Sequence, residues 1–143
     1  MAILDPSVCI AVSDVLNHAY GNTKLCRKLA RSFFLPSLQD FSGATTTSRA
    51  NKVLTVPTGI VVQALFRAGL NAGAVMSTLI TSLQESDQSP GITALADLSV
   101  GSGYQSVSLQ RFTDTSAQIG VRSTNTAGTL TIVTYGWIDT RGK

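Results

Sequence analysis

At 143 residues the chain is long enough for one domain that buries about 70% of its unfolded surface. Only 13% of its residues are charged and 43% are hydrophobic, against an average charged fraction of about 25%, which excludes a disordered chain. No run approaches the roughly 18 consecutive apolar residues of a membrane-spanning helix, and Asp5 stands where a secretory signal would carry Lys or Arg, so a soluble protein made in the cytoplasm is expected.

In chain order, 7–20 (SVCIAVSDVLNHAY) places Val8, Val12, Val15, Leu16 and Ala19 at helical spacing, with Ser7 as N-cap behind Pro6. After Gly21 and Asn22, TKLCRKLARSFFLP sets Leu25, Leu29 and Phe33 four apart. This predicts a short amphipathic helix that stops before Pro36, because the residue preceding a proline is pushed out of the α region. From Gln39 to Asn51 turn formers dominate and apolar periodicity is lost, which reads as an exposed loop or arm.

The period then changes to two. Ile60, Val62, Ala64, Phe66 and Ala68 share one face of a predicted strand, and RAGLNAGAV interrupts it with two glycines. MSTLITSLQES reads as extended, with Leu79, Thr81, Leu83 and Glu85 on one side, and Asp87 to Gly91 is a turn. Ile92, Ala94, Ala96, Leu98 and Val100 then share a face, Gly101 and Gly103 bracket a turn, and Val107 and Leu109 alternate with serines. Ile119 and Val121, the loop Asn125 to Gly128, and Leu130 to Ile138 predict a terminal hairpin. The 17 Thr and 16 Ser suit pleated, half-exposed strands. The expected fold is mainly β: an antiparallel jelly-roll-like sandwich or barrel over 53–143, preceded by a partly helical N-terminal arm over 1–52 that does not fold alone.

Residue chemistry argues against an enzyme. The single histidine, His18, has only Asp14 near it in sequence, and general-base work needs a polar pocket and an orienting partner. Cys9 and Cys26 form no metal-ligand spacing with His18 and are expected as buried free thiols. No phosphate-binding glycine motif occurs, and Gly101-Ser102-Gly103 has no histidine after it to activate the serine. Glu85 and Asp87 read as a solvated turn rather than paired catalytic carboxylates. No cofactor, metal, small-molecule substrate or membrane is called for.

The charge is concentrated instead. Lys24, Arg27, Lys28, Arg31, Arg49 and Lys52 face one acid, Asp40, a local charge of +5, while the other five cations and seven acids leave the rest of the chain at −2. These six cations are the candidate interaction residues. A solvated helix face, an acidic protein partner and nucleic acid are the readings, in that order.

The stretch LITSLQESDQSPGITALADLSV, with SVSLQRF and QIGVRSTNTAGTLTIVTYGW after it, resembles the β-sandwich cement or decoration proteins of tailed-bacteriophage capsids. The resemblance covers about Leu79 to Trp137. It implies a jelly-roll-like sandwich in many copies, located on the virion surface and clamping adjacent major capsid protein subunits from outside. Self-association as a dimer or trimer is expected of such a protein. A small-virus coat protein that packages nucleic acid through its basic N-terminal segment is the alternative, and a receptor- or glycan-binding tip module the third reading.

Overall fold

A computed structural model of the chain describes residues 32–91 and 95–139. The predicted helix over 7–20 and the part of the next one before Ser32 lie outside the described residues, as do Cys9, His18 and Cys26.

Every regular element described is a strand: β1 (Ser32–Ala44), β2 (Ala50–Val53), β3 (Gln63–Ala72), β4 (Met76–Ser82), β5 (Leu98–Val100), β6 (Gly103–Phe112), β7 (Gln118–Ser123) and β8 (Gly128–Ile138). They form two antiparallel four-stranded sheets, the first in the order β1-β8-β3-β6 and the second β2-β7-β4-β5. The sheets face each other across one core. Ala64, Phe66, Ala68, Leu70, Leu130 and Ile132 come from the first, and Met76, Ile80, Leu98, Val100, Ile119 and Val121 from the second. Strand alternation explains the selection, since residues two apart share a face and one face of each sheet is apolar. The period-two reading of Val62 to Ala68 is seen, and β3 continues through Gly69 to Ala72 instead of breaking there. In β4 the buried side is Met76, Thr78 and Ile80, opposite to Leu79.

Three expectations are corrected. Ser32–Leu35, predicted as the end of a helix, belong to β1: Phe33, Phe34 and Leu35 favour extended backbone, and Pro36 is tolerated because β1 is an edge strand. The exposed loop expected from Gln39 to Asn51 contains the end of β1 and the start of β2, and Phe41 within it packs on the core. The terminal hairpin does not form. β7 pairs with β2 and β4, whereas β8 pairs with β3 and lies beside β1 in the other sheet. Consecutive strands mostly alternate between sheets; only β4 and β5 are sequential partners.

The hydroxyl-rich composition is partly internal. Thr78 Oγ1 and Ser123 Oγ hydrogen-bond in the core at 2.7 Å, Thr45 Oγ1 donates to the Asn125 carbonyl at 3.0 Å, and Thr113 donates to the Val62 carbonyl. These side chains are buried with their hydrogen bonds made, which avoids the cost of an unpaired buried hydroxyl.

Phe66 is the largest of the fully buried side chains. Phe66→Ala is expected to cost about 3–5 kcal/mol in urea unfolding, whereas Leu95→Ala, at a side chain 82% exposed, should stay within about 0.5 kcal/mol.

Candidate interaction surfaces

Of the six candidate cations, Lys24, Arg27, Lys28 and Arg31 lie outside the described residues, and Arg49 and Lys52 are both engaged with their own chain. Arg49 is the last residue of the β1–β2 connection and lies across the outer face of the second sheet. Its Nη1 donates to the Glu85 carbonyl at 2.8 Å, and its Nη2 to Thr81 Oγ1 at 3.1 Å and to the Ser82 carbonyl. Among the described residues its Nε is the one buried side-chain nitrogen or oxygen without a hydrogen-bond partner. The path of this side chain is opened by Gly120 on β7, where a Cβ would collide with the Arg49 guanidinium. Lys52, on the edge strand β2, holds its Nζ 3.7 Å from the centre of the Phe41 ring on β1, a cation–π contact between the edges of the two sheets.

Three further charged groups have internal tasks that the sequence reading did not assign. Arg122 donates from Nε to the Thr47 carbonyl at 2.8 Å and from Nη1 to Asp87 at 3.1 Å. Arg49 and Arg122 together therefore tie the β1–β2 connection to the long loop after β4. Arg111, on β6, reaches the Ile80 carbonyl with Nε at 2.8 Å and Asp97 with Nη2 at 2.6 Å, and Asp97 also accepts from the Ile80 amide at 2.8 Å. This joins the β6 edge of the first sheet to the β4 and β5 side of the second. Glu85 and Asp87, weighed as a carboxylate pair, separate: Glu85 accepts from the Ser82 amide and Asp87 pairs with Arg122.

The outer face of the first sheet carries little charge between β3 and β6. Antiparallel neighbours put Gln63, Arg67 and Asn71 of β3 on the same side as Tyr104, Ser106, Ser108, Gln110 and Phe112 of β6. Tyr104, 68% exposed, lies over Gly69, where a Cβ would meet the phenol ring at 3.0 Å. Arg67 supplies the one charge in that set. Besides Arg67 the face carries hydroxyls, amides, the two rings of Tyr104 and Phe112, and the aliphatic Leu65, Val133 and Ile138.

Among the described residues no group of three or more His, Cys, Asp or Glu side chains is placed to hold a metal ion, and no helix is long and apolar enough to cross a membrane. The sequence matches no protein-family model and no curated protein significantly.

The signal for the Arg49 clamp was present in the sequence as Gly120 between two buried aliphatics, since a glycine inside a strand marks a bulge or a close approach. Its partner, 71 positions earlier, was not readable. Gly120→Ala and Arg49→Ala should each lower stability by about 1–3 kcal/mol by leaving the same carbonyls without their donor. The double variant should cost little more than either single one, and additive losses in denaturant titrations would refute the shared clamp.

Proposed function

We propose that this chain is a non-enzymatic structural protein of a virus particle, and that its sandwich is a jelly roll which binds neighbouring major capsid subunits from outside. The observation that carries the reading is the strand order, β1-β8-β3-β6 against β2-β7-β4-β5. Eight strands in two four-stranded sheets, with the chain passing repeatedly between them, suit the double Greek key of jelly rolls, an architecture of viral capsid and lectin domains and of cupins. Fold alone does not choose among these uses. The resemblance of Leu79 to Trp137 to capsid decoration proteins favours the virion, and the economy of charge agrees with it. Arg49, Arg111 and Arg122 hold the chain's own loops and edges together, which leaves neutral faces for contact with other subunits.

One observation favours a second reading, a coat protein that packages nucleic acid. Residues 32–139 contain five cations and six acids, a net −1, so the positive charge of the chain is carried by its two ends: Lys24, Arg27, Lys28 and Arg31 on one side, Arg141 and Lys143 on the other. A neutral sandwich with basic extensions suits a shell whose inner side meets phosphate.

Sedimentation separates the two. On the decoration reading the purified chain pellets with preassembled shells, accessible to antibody on their outside, and a chain that stays in the supernatant refutes it. On the coat reading it binds single-stranded RNA or DNA with log affinity falling against log salt at a slope of roughly −3 for four phosphate contacts. Substitution of Lys24, Arg27, Lys28 and Arg31 by Gln should flatten that slope, whereas Arg49→Gln and Lys52→Gln should leave it unchanged, because those two side chains are occupied within the fold.

A further inference from the structure

A two-sheet sandwich has four edge strands, and each exposes a row of backbone N–H and C=O groups that another strand can pair with. In this chain they are β1, β6, β2 and β5. Three carry features that discourage pairing. β1 contains Pro36 and the charged Asp40, β2 has four residues and bears Lys52, and β5 has three. β6 is neither short nor broken by proline, and its one charge, Arg111, is held by Asp97 near the strand's end. It runs ten residues, Gly103–Phe112, in an unbroken register of ten pairs with β3, and among the described residues nothing pairs with its other side. From Tyr104 to Gln110 it reads YQSVSLQ, with no charge, proline or glycine. All but Val107, Leu109 and Arg111 of the strand are exposed.

We propose that β6 is the edge through which two copies of this chain pair, antiparallel about a two-fold axis, joining their first sheets into one sheet of eight strands. The strand selects its own copy because it is self-complementary. Centred on Val107, the pairing sets Ser106 opposite the second copy's Ser108 and Tyr104 opposite its Gln110, so hydroxyl meets hydroxyl and phenol meets amide. Val107 meets itself and Gln105 meets Leu109. Arg111 falls opposite Gly103, and its guanidinium is already held by Asp97, so no like charges are brought together. Arg111 Nη1 also takes the Gln110 carbonyl at 3.0 Å, which ends the free stretch at the residue where the symmetric pairing ends. A charged or basic-segment-driven partner has nothing to hold along this edge, whereas an isologous contact needs only the same neutral strand twice.

The inference gives the expected self-association a surface, and it does not depend on a shell. Sedimentation velocity and native mass spectrometry of the full chain at micromolar concentration should show a closed dimer whose dissociation constant is nearly independent of salt. The double variant Ser106→Lys, Ser108→Lys places two lysine pairs across the axis and should weaken the dimer by about tenfold or more. The counterpart Ser106→Asp, Ser108→Asp should weaken it likewise, and an equal mixture of the two variants should restore a mixed dimer. Thr129→Lys, on β8 at the other side of β3, tests the same sheet away from its edge and should leave the dimer intact. A monomeric wild-type chain, an open polymer, steep salt dependence, or a lysine variant that dimerises as the wild type does would each overturn the proposal. Binding of the same variants to shells is a separate readout, so failure of the edge pairing and failure of the capsid reading are distinguishable.

Discussion

Asp40 holds the open side of the sandwich where β1 and β2 meet. One carboxylate oxygen accepts from the Thr55 amide at 2.9 Å and the Thr55 hydroxyl at 2.6 Å; the other accepts from the Thr134 amide at 3.1 Å and the Thr134 hydroxyl. Three segments, β1, the chain leaving β2 and the middle of β8, are thus gathered on one side chain. Bonds to an ionised acceptor are the stronger kind, and four donors compensate the carboxylate for the water it gives up. The β8 backbone records this grip. Its register with β3 shifts between Leu65 and Phe66, so that Phe66 opposes Thr134 while Leu65 opposes Gly136, and Tyr135 is the extra residue of the bulge. After the shift Trp137 stands opposite Ala64, on the core side of the sheet, while Val133 and Ile138 stand opposite Arg67 and Gln63 on its outer side.

The opposite open side is closed by a different chemistry with the same logic. Arg111 and Asp97 meet at 2.6 Å with their side chains mostly shielded, and both bond the backbone of Ile80. A pair of this kind fixes geometry more than it adds stability, because desolvation offsets much of the attraction. Its value here is registry: Arg111 comes from one sheet and Ile80 from the other, and most sequential strands lie in different sheets and share no ladder to align them. With few charges available, the chain commits most of those on its strands to aligning itself.

Legibility in the sequence followed the range of the interactions. Alternation is a local property, so the faces of Val62 to Ala68, of Leu98 and Val100, and of Ile119 and Val121 could be read directly. Pairing partners are non-local. The hairpin expected between Ile119 and Ile138 was the cheapest closure for a short loop, yet that loop crosses from one sheet to the other because both strands have an apolar face to bury against a common core. The stretch from Phe33 to Gly43 misled for a related reason. Leu25, Leu29 and Phe33 fit a helical stripe, and Ser, Thr and Gly suggested a loop, but an edge strand needs only one apolar anchor, Phe41, and one polar clamp, Asp40. Of the candidate site, the four cations before β1 fall outside the described residues, while Arg49 and Lys52 were legible as charge and illegible as clamps, since their partners Gly120, Ser82 and Phe41 are brought to them by tertiary folding.

The division of charge within the chain has a kinetic consequence for any assembly it joins. Neutral surfaces associate without steering, at rates near 10⁵–10⁶ M⁻¹s⁻¹, and gain specificity from fit and hydrogen-bond geometry; charged segments accelerate encounter and are screened by salt. With a net −1 over 32–139 and six cations in the two ends, attraction and fit are separable functions of separate parts. On the reading proposed above, long-range attraction to an acidic surface would act through the ends, and a contact through hydroxyl- and amide-bearing strands would be little altered by salt. A chain that joined an assembly in this way would do so fastest at low ionic strength and, once seated, would resist salt better than its encounter rate suggests.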